Sequence, residues 1–234
     1  MNIFPTPEPI TATLTTAGAR IRVTASERAD TVVRVEPVDS TDASNVKVAA
    51  NTKVDFTGGE LSIRTTKSGD KNGSVAITIE LPAGSRLVLN TAWSDVHTDG
   101  LLGDCRLSTA SGQVHLDRVA AVRGDFSGSE VRIGQATSDV DLSGSSGRFD
   151  LDRAEGGVVA KASDCPIRIG RLTGGRAELM NASGGIEVGI GAGTAARVDA
   201  ESTKGAVRNS VPDGGTGLSV YARTRRDDIV IHSV

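Results

Sequence analysis

Apolar and polar residues alternate along most of the chain, and this alternation predicts short β-strands. Runs of this kind in the segment 1–90 lie at 21–23, 32–35, 61–63, 75–79 and 87–89. Glycine, proline and polar clusters separate them, and we interpret the polar segments 38–45 and 67–73 as loops. No stretch of 11 or more residues shows the 3.6-residue apolar period of an amphipathic helix. The pattern therefore predicts an all-β protein.

Between positions 91 and 210 the alternating pattern itself recurs at a nearly constant interval of about 18 residues. Aligned on one apolar position, the copies have these anchors: Val96, Val114, Val131, Phe149, Ile167, Ile186 and Val207. The steps between successive anchors are almost equal, and the longest is the last, from Ile186 to Val207. A regular period of this kind is typical of a solenoid, in which each repeat buries its apolar face only by stacking on its neighbours.

Each repeat holds two strands joined by small polar turns, such as residues 108–112 and 143–147. The second strand supplies its own inward column: Leu107, Phe126, Leu142, Ala160, Leu179 and Ala200. Stacked rungs place equivalent residues about 4.8 Å apart. We therefore expect residues one repeat apart to be neighbours, and we expect strands at 218–223 and 228–232 to close the far end of the stack.

The sequence as a whole predicts a single-domain β-solenoid of two-stranded coils, each of about 18 residues. Residues 1–90 form irregular opening coils or a β cap, residues 91–210 the regular repeats, and residues 211–234 the closing strands. Aromatic residues make up only 3% of the chain, and 28 of its 234 residues are glycine. That composition suits thin coils with tight turns and disfavours a wide apolar ligand cavity.

Several segments resemble a known bacterial family. The repeated turn and strand in SGQVHLDRV (111–119) and SGRFDLDRA (146–154), the entry segment 75–96 and the exit segment 186–211 are similar to the putative-adhesin family of β-strand repeats, a domain of unknown function common in actinobacteria. The resemblance extends from about Ile10 to His232. It implies a single-domain β-solenoid, and it implies no established catalytic residues.

Charged residues occupy the outward positions of both strands. The anchor strands give the column His97, His115, Arg132, Asp150, Arg168, Glu187 and Arg208. From Arg132 onward the signs alternate, which predicts a ladder of ion pairs between rungs. The second strands give the column Arg106, Asp125, Asp141, Val159, Glu178 and Asp199. This second column is acidic, and we interpret it as a solubilising face or a surface that attracts basic peptides.

The first column begins with a cluster of ionisable residues. His97 and His115 lie on adjacent rungs, and Asp99 and Asp117 follow two residues later on the same face. Duplication of the repeat alone explains this spacing as a surface ladder. The same residue types are also able to bind a divalent metal or to act as an acid–base pair. We predict neither a bound metal nor a cofactor. If the protein is an enzyme, we predict that its catalytic residues are His97, His115, Asp99 and Asp117, with Arg132 stabilising charge.

The leading hypothesis for function is a non-enzymatic binding or scaffold module that presents a flat, repetitive face to a protein or peptide partner. The alternative is an enzyme of the lyase, isomerase or cyclase type that uses the His/Asp cluster, an analogy drawn from the fold class alone.

Charge and hydropathy restrict the classes of binding partner and the cellular location that we expect. The net charge is −3 and the basic residues are scattered, which disfavours nucleic acid. No run of 18 apolar residues and no export signal is present, so we expect no membrane partner and a cytoplasmic location. Cys105 and Cys165 lack metal-type spacing and are expected to be reduced thiols, buried or half-buried. A partly exposed last rung leaves both a monomer and a homodimer open.

Overall fold

The structure is a computed structural model that describes residues 1–65 and 73–234, and β-strands dominate it. The strands are β1 (Asn2–Pro5), β2 (Thr11–Ser26), β3 (Asp30–Pro37), β4 (Lys53–Thr57), β5 (Glu60–Arg64), β6 (Val75–Pro82), β7 (Arg86–Ala136), β8 (Val140–Ala154), β9 (Val158–Asp164), β10 (Ile167–Leu172), β11 (Gly175–Ser183), β12 (Ile186–Ile190), β13 (Arg197–Ser202), β14 (Val207–Asn209), β15 (Leu218–Thr224) and β16 (Ile229–Ser233). The predicted loop at 67–73 lies outside the described residues, except for Gly73. The all-β solenoid fold expected from the sequence is confirmed.

The segment 38–45, predicted to be a loop, runs into a helix, α1 (Ala43–Asn51). Asp42 caps this helix, because its carboxylate accepts hydrogen bonds from the backbone N–H groups of Ser44 (2.7 Å) and Asn45 (3.3 Å). Val48 is the buried residue of α1. With one buried position the helix carries no apolar period, which is why the sequence pattern did not reveal it.

The chain divides into two compact units, Met1–Ala120 and Ala121–Val234. In the first unit β2 is a central parallel strand. It pairs with β7 on one side, with Ile21 opposite Val96, and with β5 and β6 on the other. The strands β1, β3 and β4 are antiparallel to their neighbours, and they make this part of the chain irregular.

The second unit confirms the stacked anchors. Val131 lies opposite Phe149, Phe149 opposite Ile167, and Ile167 opposite Ile186, all in parallel register. Each of these four side chains is at most 1% exposed. The second strands stack in the same way through β8, β9 and β11, with Leu142, Ala160 and Leu179 in one column. Residues one repeat apart in sequence are therefore neighbours in space.

The expectation that the last two strands close the stack is wrong. β16 lies between β12 and β14, so Ile229 follows Ile186 in the column and Val207 pairs with Ile229 instead. β15 is likewise inserted between β11 and β13. The outer strands of this unit are β13 and β14. The step from Ile186 to Val207, the longest in the repeat, therefore skips a rung that a later segment fills.

The predicted inward column of the second strands is displaced by two residues at Phe126. Gly124 lies opposite Leu142, and Phe126 lies opposite Gly144. A Cβ atom on Gly124 would come within 2.3 Å of the Phe126 ring, so the ring fills the space that a side chain at Gly124 would need. The Phe126 and Phe149 rings then meet edge to face, with centroids 5.9 Å apart.

The same displacement corrects the outward column of the second strands. Arg123 rather than Asp125 lies opposite Asp141, and its Nε is 3.3 Å from an Asp141 carboxylate oxygen. Asp125 lies opposite Ser143 and accepts a hydrogen bond from its hydroxyl group. Farther along the column Tyr221 separates Glu178 from Asp199. The surface is therefore less acidic than the sequence pattern indicated.

The described residues include no helix with the length and apolar character that a membrane crossing requires.

The inserted strand leads to a prediction about stability. Ile229 is fully buried, whereas Val207, in register with it, is 42% exposed. We expect Ile229→Ala to lower the free energy of unfolding by about 2–4 kcal/mol because it leaves a cavity between two rungs. Val207→Ala should lower it by less than about 1 kcal/mol. Urea unfolding of the two variants measures the difference, and equal losses would contradict the insertion of β16.

A second prediction concerns the turn glycines. Gly147 and Gly193 both have positive φ angles, of 114° and 77°. A Cβ on Gly147 would lie 2.0 Å from the Ser129 carbonyl oxygen, whereas a Cβ on Gly193 would meet nothing within 4 Å. Gly193→Ala should cost about 1–2 kcal/mol of stability from backbone strain alone. Gly147→Ala should cost about 2 kcal/mol more, because the rungs must separate. Urea unfolding tests this; equal costs would show that close packing of the rungs is not what requires Gly147.

Candidate functional site

The outward face of β2 and β7 in the first unit carries the predicted histidine cluster. Along β7 the residues Trp93, Asp95, His97 and Asp99 point outward, since Ser94, Val96 and Thr98 between them are buried. β2 runs parallel beside this segment with Gly18 opposite Trp93, Arg20 opposite Asp95, Arg22 opposite His97 and Thr24 opposite Asp99. The register of two strands thus sets the composition of the face.

Three of the predicted site residues lie together. The rings of His97 and His115 meet edge to face, with centroids 4.8 Å apart. The Nε2 atom of His97 lies 3.1 Å from Oδ1 of Asp99, within hydrogen-bond distance. The His97 side chain is 42% exposed, so this pair is accessible from solvent. The position of these side chains agrees with the sequence analysis, and a role for them stays a prediction.

Asp117 has a different environment. Its Oδ2 atom accepts a hydrogen bond from the backbone N–H of Gly100 at 2.9 Å and lies 3.7 Å from Nε of Arg118. Its own N–H donates to the Thr98 hydroxyl group at 3.2 Å. The Asp117 carboxylate thus links two rungs through their backbone.

A groove of about 540 Å³ surrounds the two histidines. Its lining residues are Arg20, Ile21, Arg22, Ala76, Ile77, Thr78, Asp95, Val96, His97, Gln113 and His115. The apolar members Ile21, Ile77 and Val96 are buried beneath the polar ones, so the outer wall is formed by charged and hydrogen-bonding groups. We call this surface the histidine groove.

The two arginines of the histidine groove are exposed, and among the described residues neither forms an ion pair. Arg34 lies opposite Thr78 in the same outward column, but unlike Arg20 and Arg22 it forms an ion pair. Its guanidinium group is 2.9 Å from Glu80, and a hydrogen bond from Arg28, with a weaker one from Arg34, holds the pKa of Glu80 below its usual range. With respect to the described part of the chain, Arg20 and Arg22 therefore keep their hydrogen-bond donors available to a ligand.

Sequence reasoning missed both arginines. They lie in β2, far before His97 in the chain and outside the region of regular repeats. The alternation over residues 21–23 correctly predicted a strand, but nothing in the pattern showed that this strand lies beside β7. Register between distant strands is what brings Arg22 to His97.

Arg132 belongs to the second unit and pairs with Asp152 there, at 3.0 Å. The predicted ladder of ion pairs exists but follows a shifted path. Arg132 lies opposite Asp150, yet Asp150 contacts Arg148 at 3.7 Å. Asp152 also lies 3.7 Å from Arg168, and Arg168 lies 3.9 Å from Glu187. Val230, from the inserted β16, separates Glu187 from Arg208 in the column.

The comparisons with known proteins agree with this architecture. The sequence matches the Toastrack family, DUF4097, over residues 12–222. The chain belongs to this family. The resemblance to a family of adhesin-like β-strand repeats is thereby confirmed. No curated protein matches the sequence.

Solved structures share the fold at low sequence identity. A protein described as a "putative adhesin" from Bacteroides fragilis is 12% identical with a TM-score of 0.53, and one from Parabacteroides distasonis is 11% identical with a TM-score of 0.56. A third, from Parabacteroides merdae, is 9% identical with a TM-score of 0.52. Each match covers 100% of this chain and 95% of the other. At these identities the similarity shows a common fold.

Within the described residues, no group of three or more His, Cys, Asp or Glu side chains is arranged to hold a metal ion. One carboxylate of the cluster, that of Asp117, accepts a hydrogen bond from the backbone N–H of Gly100 instead of facing the two histidines.

Both cysteines are buried, as expected from the sequence. Cys105 is 1% exposed and Cys165 is fully buried. Burial raises the pKa of the Cys105 thiol to about 12 and that of Cys165 to about 11. A thiol with such a pKa contains very little of the reactive thiolate at neutral pH.

We therefore predict that both thiols resist alkylation in the folded protein. Iodoacetamide at pH 8 should modify neither cysteine over an hour, whereas the protein unfolded in urea should incorporate two carbamidomethyl groups, because unfolding restores the ordinary thiol pKa. Intact-protein mass spectrometry counts the groups. Rapid modification of the native chain would contradict the burial of these residues.

Proposed function

We propose that this protein is a non-enzymatic binding module whose histidine groove holds an acidic peptide segment of a partner protein. One observation carries the proposal. Two exposed guanidinium groups, those of Arg20 and Arg22, have no ion-pair partner within residues 1–65 and 73–234, and they lie beside the imidazoles of His97 and His115 in a single groove.

The chemistry of these groups favours a carboxylate. A guanidinium group offers a planar set of donors that matches the two oxygens of a carboxylate. The imidazoles, the Thr78 hydroxyl group and the Gln113 amide add hydrogen-bonding groups around the same space. The groove lies on the outer surface of the parallel strands β6, β2 and β7, where a peptide segment can reach these groups from solvent.

Non-enzymatic binding also agrees with the exposure of the histidines. General acid–base groups usually lie in sites that exclude water and shift their pKa values. The His97–Asp99 pair lies on an open face instead. The name "putative adhesin" given to structures with this fold is in keeping with a binding role. The cytoplasmic location, the scaffold role and the monomeric or homodimeric state expected from the sequence stay predictions.

Isothermal titration of the full chain with a hexaglutamate peptide at low salt tests the proposal. We expect binding that weakens as salt is added, because both charges are exposed to screening. The double variant Arg20→Ala/Arg22→Ala should weaken binding by about tenfold or more, since each carboxylate loses its charged donors. The matched control is Arg171→Ala/Arg197→Ala, which removes the same charge from exposed positions of the second unit that also form no ion pair within the described residues.

Two outcomes would contradict the proposal. One is equal weakening by both double variants, which would indicate a nonspecific effect of net charge. The other is the absence of any binding to hexaglutamate while a hexalysine peptide binds, which would assign the partner surface to the acidic side chains.

The contact between His97 and Asp99 favours a second candidate, an enzyme of the lyase, isomerase or cyclase type. A carboxylate within hydrogen-bond distance of an imidazole orients it for proton transfer. His97, His115 and Asp99 would then supply acid–base chemistry, with Asp117 and Arg132 as further predicted members, although both have other partners in the structure.

Incubation with extract from the source cells separates the two candidates. A compound consumed by the wild-type protein but not by His97→Asn/His115→Asn, followed by mass spectrometry, would support the enzyme and contradict the binding proposal. Unchanged extract composition together with hexaglutamate binding is the result we expect.

A further inference from the structure

The only tryptophan of the chain lies on the same face as the histidine groove. Trp93 is 43% exposed. A Cβ atom on Gly18 would lie 3.1 Å from Cε3 of Trp93, so the ring packs over the space where Gly18 has no side chain. The six-membered ring of the indole therefore lies beside β2 at Gly18, and the side chain remains partly open to solvent.

Strand register fixes the position of this ring relative to the two arginines. Gly18, Arg20 and Arg22 lie in unbroken register with Trp93, Asp95 and His97. Trp93 and His97 are four residues apart along a strand, which corresponds to about 13 Å. The ring is therefore an aromatic surface at one end of a line that leads along the strands to Arg22, His97 and His115.

The middle of this line does not favour an anion. Asp95 lies there opposite Arg20, and its exposed carboxylate lies near the backbone N–H of Gln113, at 3.4 Å. A ligand carboxylate beside Asp95 meets like charge. At the level of Arg22 the neighbouring strands offer Thr78 and His97, and His115 contacts His97. The carboxylate on this side, that of Asp99, is within hydrogen-bond distance of His97 at 3.1 Å. The anion position therefore lies four residues from the ring rather than two.

We propose that the acidic peptide recognised by the histidine groove carries an aromatic residue four positions from an acidic residue. The aromatic side chain stacks on Trp93, and the acidic side chain binds Arg22 with His97 and His115. In an extended peptide, residues i and i+4 point to the same side and span the same distance as Trp93 and His97. This inference rests on the proposed function and adds the sequence class of the partner.

Peptides of equal length and ends test the spacing. The first, Ser-Tyr-Ser-Ser-Ser-Glu-Ser, has the proposed spacing of four. The second, Ser-Tyr-Ser-Glu-Ser-Ser-Ser, has the same composition with a spacing of two, and the third replaces the tyrosine of the first with alanine. Each is also made in reversed order, since the proposal fixes spacing and not direction. Fluorescently labelled peptides titrated with the full chain at low salt give the affinities by polarisation.

The spacing-four peptide, in one of its two directions, should bind about two- to tenfold more tightly than the alanine peptide, the range expected for one aromatic pair. Trp93→Ala should abolish this difference, and Trp93→Phe should retain part of it. The matched control is Leu101→Ala, an exposed apolar residue on the same strand, which should leave the difference unchanged. Arg22→Ala should weaken both the first and third peptides by a similar factor.

The outcomes separate this inference from the function on which it rests. If hexaglutamate binds through Arg20 and Arg22 but neither the tyrosine nor its spacing changes affinity, the inference is wrong and the proposed function stands. If no acidic peptide binds, both are wrong. If trigalacturonate binds in a manner that depends on Trp93 and Arg22 while the peptides fail, the ligand is an acidic carbohydrate, and both are again overturned.

Discussion

Parallel pairing between successive rungs is the constraint from which the rest of this structure follows. A two-stranded rung has an inward row of apolar side chains and unpaired backbone groups along both edges, and only neighbouring rungs can satisfy them. The contacts between coils show how this is done, as in the hydrogen bonds from the Phe149 N–H to the Pro166 carbonyl (3.0 Å) and from the Ile167 N–H to the Gly185 carbonyl (3.0 Å). Because the register is kept, outward side chains also line up in columns, and those columns are the surfaces available for recognition.

In each unit a strand from a distant part of the chain is inserted between strands of the stack. In the first unit β2 fits beside β7, and in the second β15 and β16 fit between strands that precede them in sequence. The outer strand β13 is held by Arg223, whose guanidinium group is 2.7 Å from the Asp199 carboxylate. β14 is only three residues long, a length that limits pairing with other chains. In the first unit the insertion of β2 beside β7 also places Arg20 and Arg22 next to the strand that carries His97, and this pairing forms the histidine groove.

The features that the sequence predicted correctly are those that depend on local periodicity, namely the strands and the pairing of equivalent residues in successive repeats. Alternation located the strands, and the regular period correctly paired Val131, Phe149, Ile167 and Ile186. Within the candidate site it placed His97 beside His115, because these residues belong to the period. The period did not predict strand register or strand neighbours where these depend on contacts between distant segments or on the size of a side chain. The displacement at Phe126 depends on a ring filling the space over Gly124, and the position of Arg22 depends on which strand pairs with β7. Neither contact follows the repeat period, so the sequence pattern does not predict it.

The inserted position of β16 also constrains how the second unit is made on the ribosome. β14 emerges before β16, yet β16 is the strand with which it pairs, so Val207 is synthesised well before its partner Ile229. Until that later segment leaves the exit tunnel, the edge of β12 has no permanent partner and β14 has none at all. During this interval the nascent chain exposes an unpaired apolar edge, the feature that chaperones recognise and that leads to aggregation. Slow translation of the segment after Asn209 would prolong that exposure.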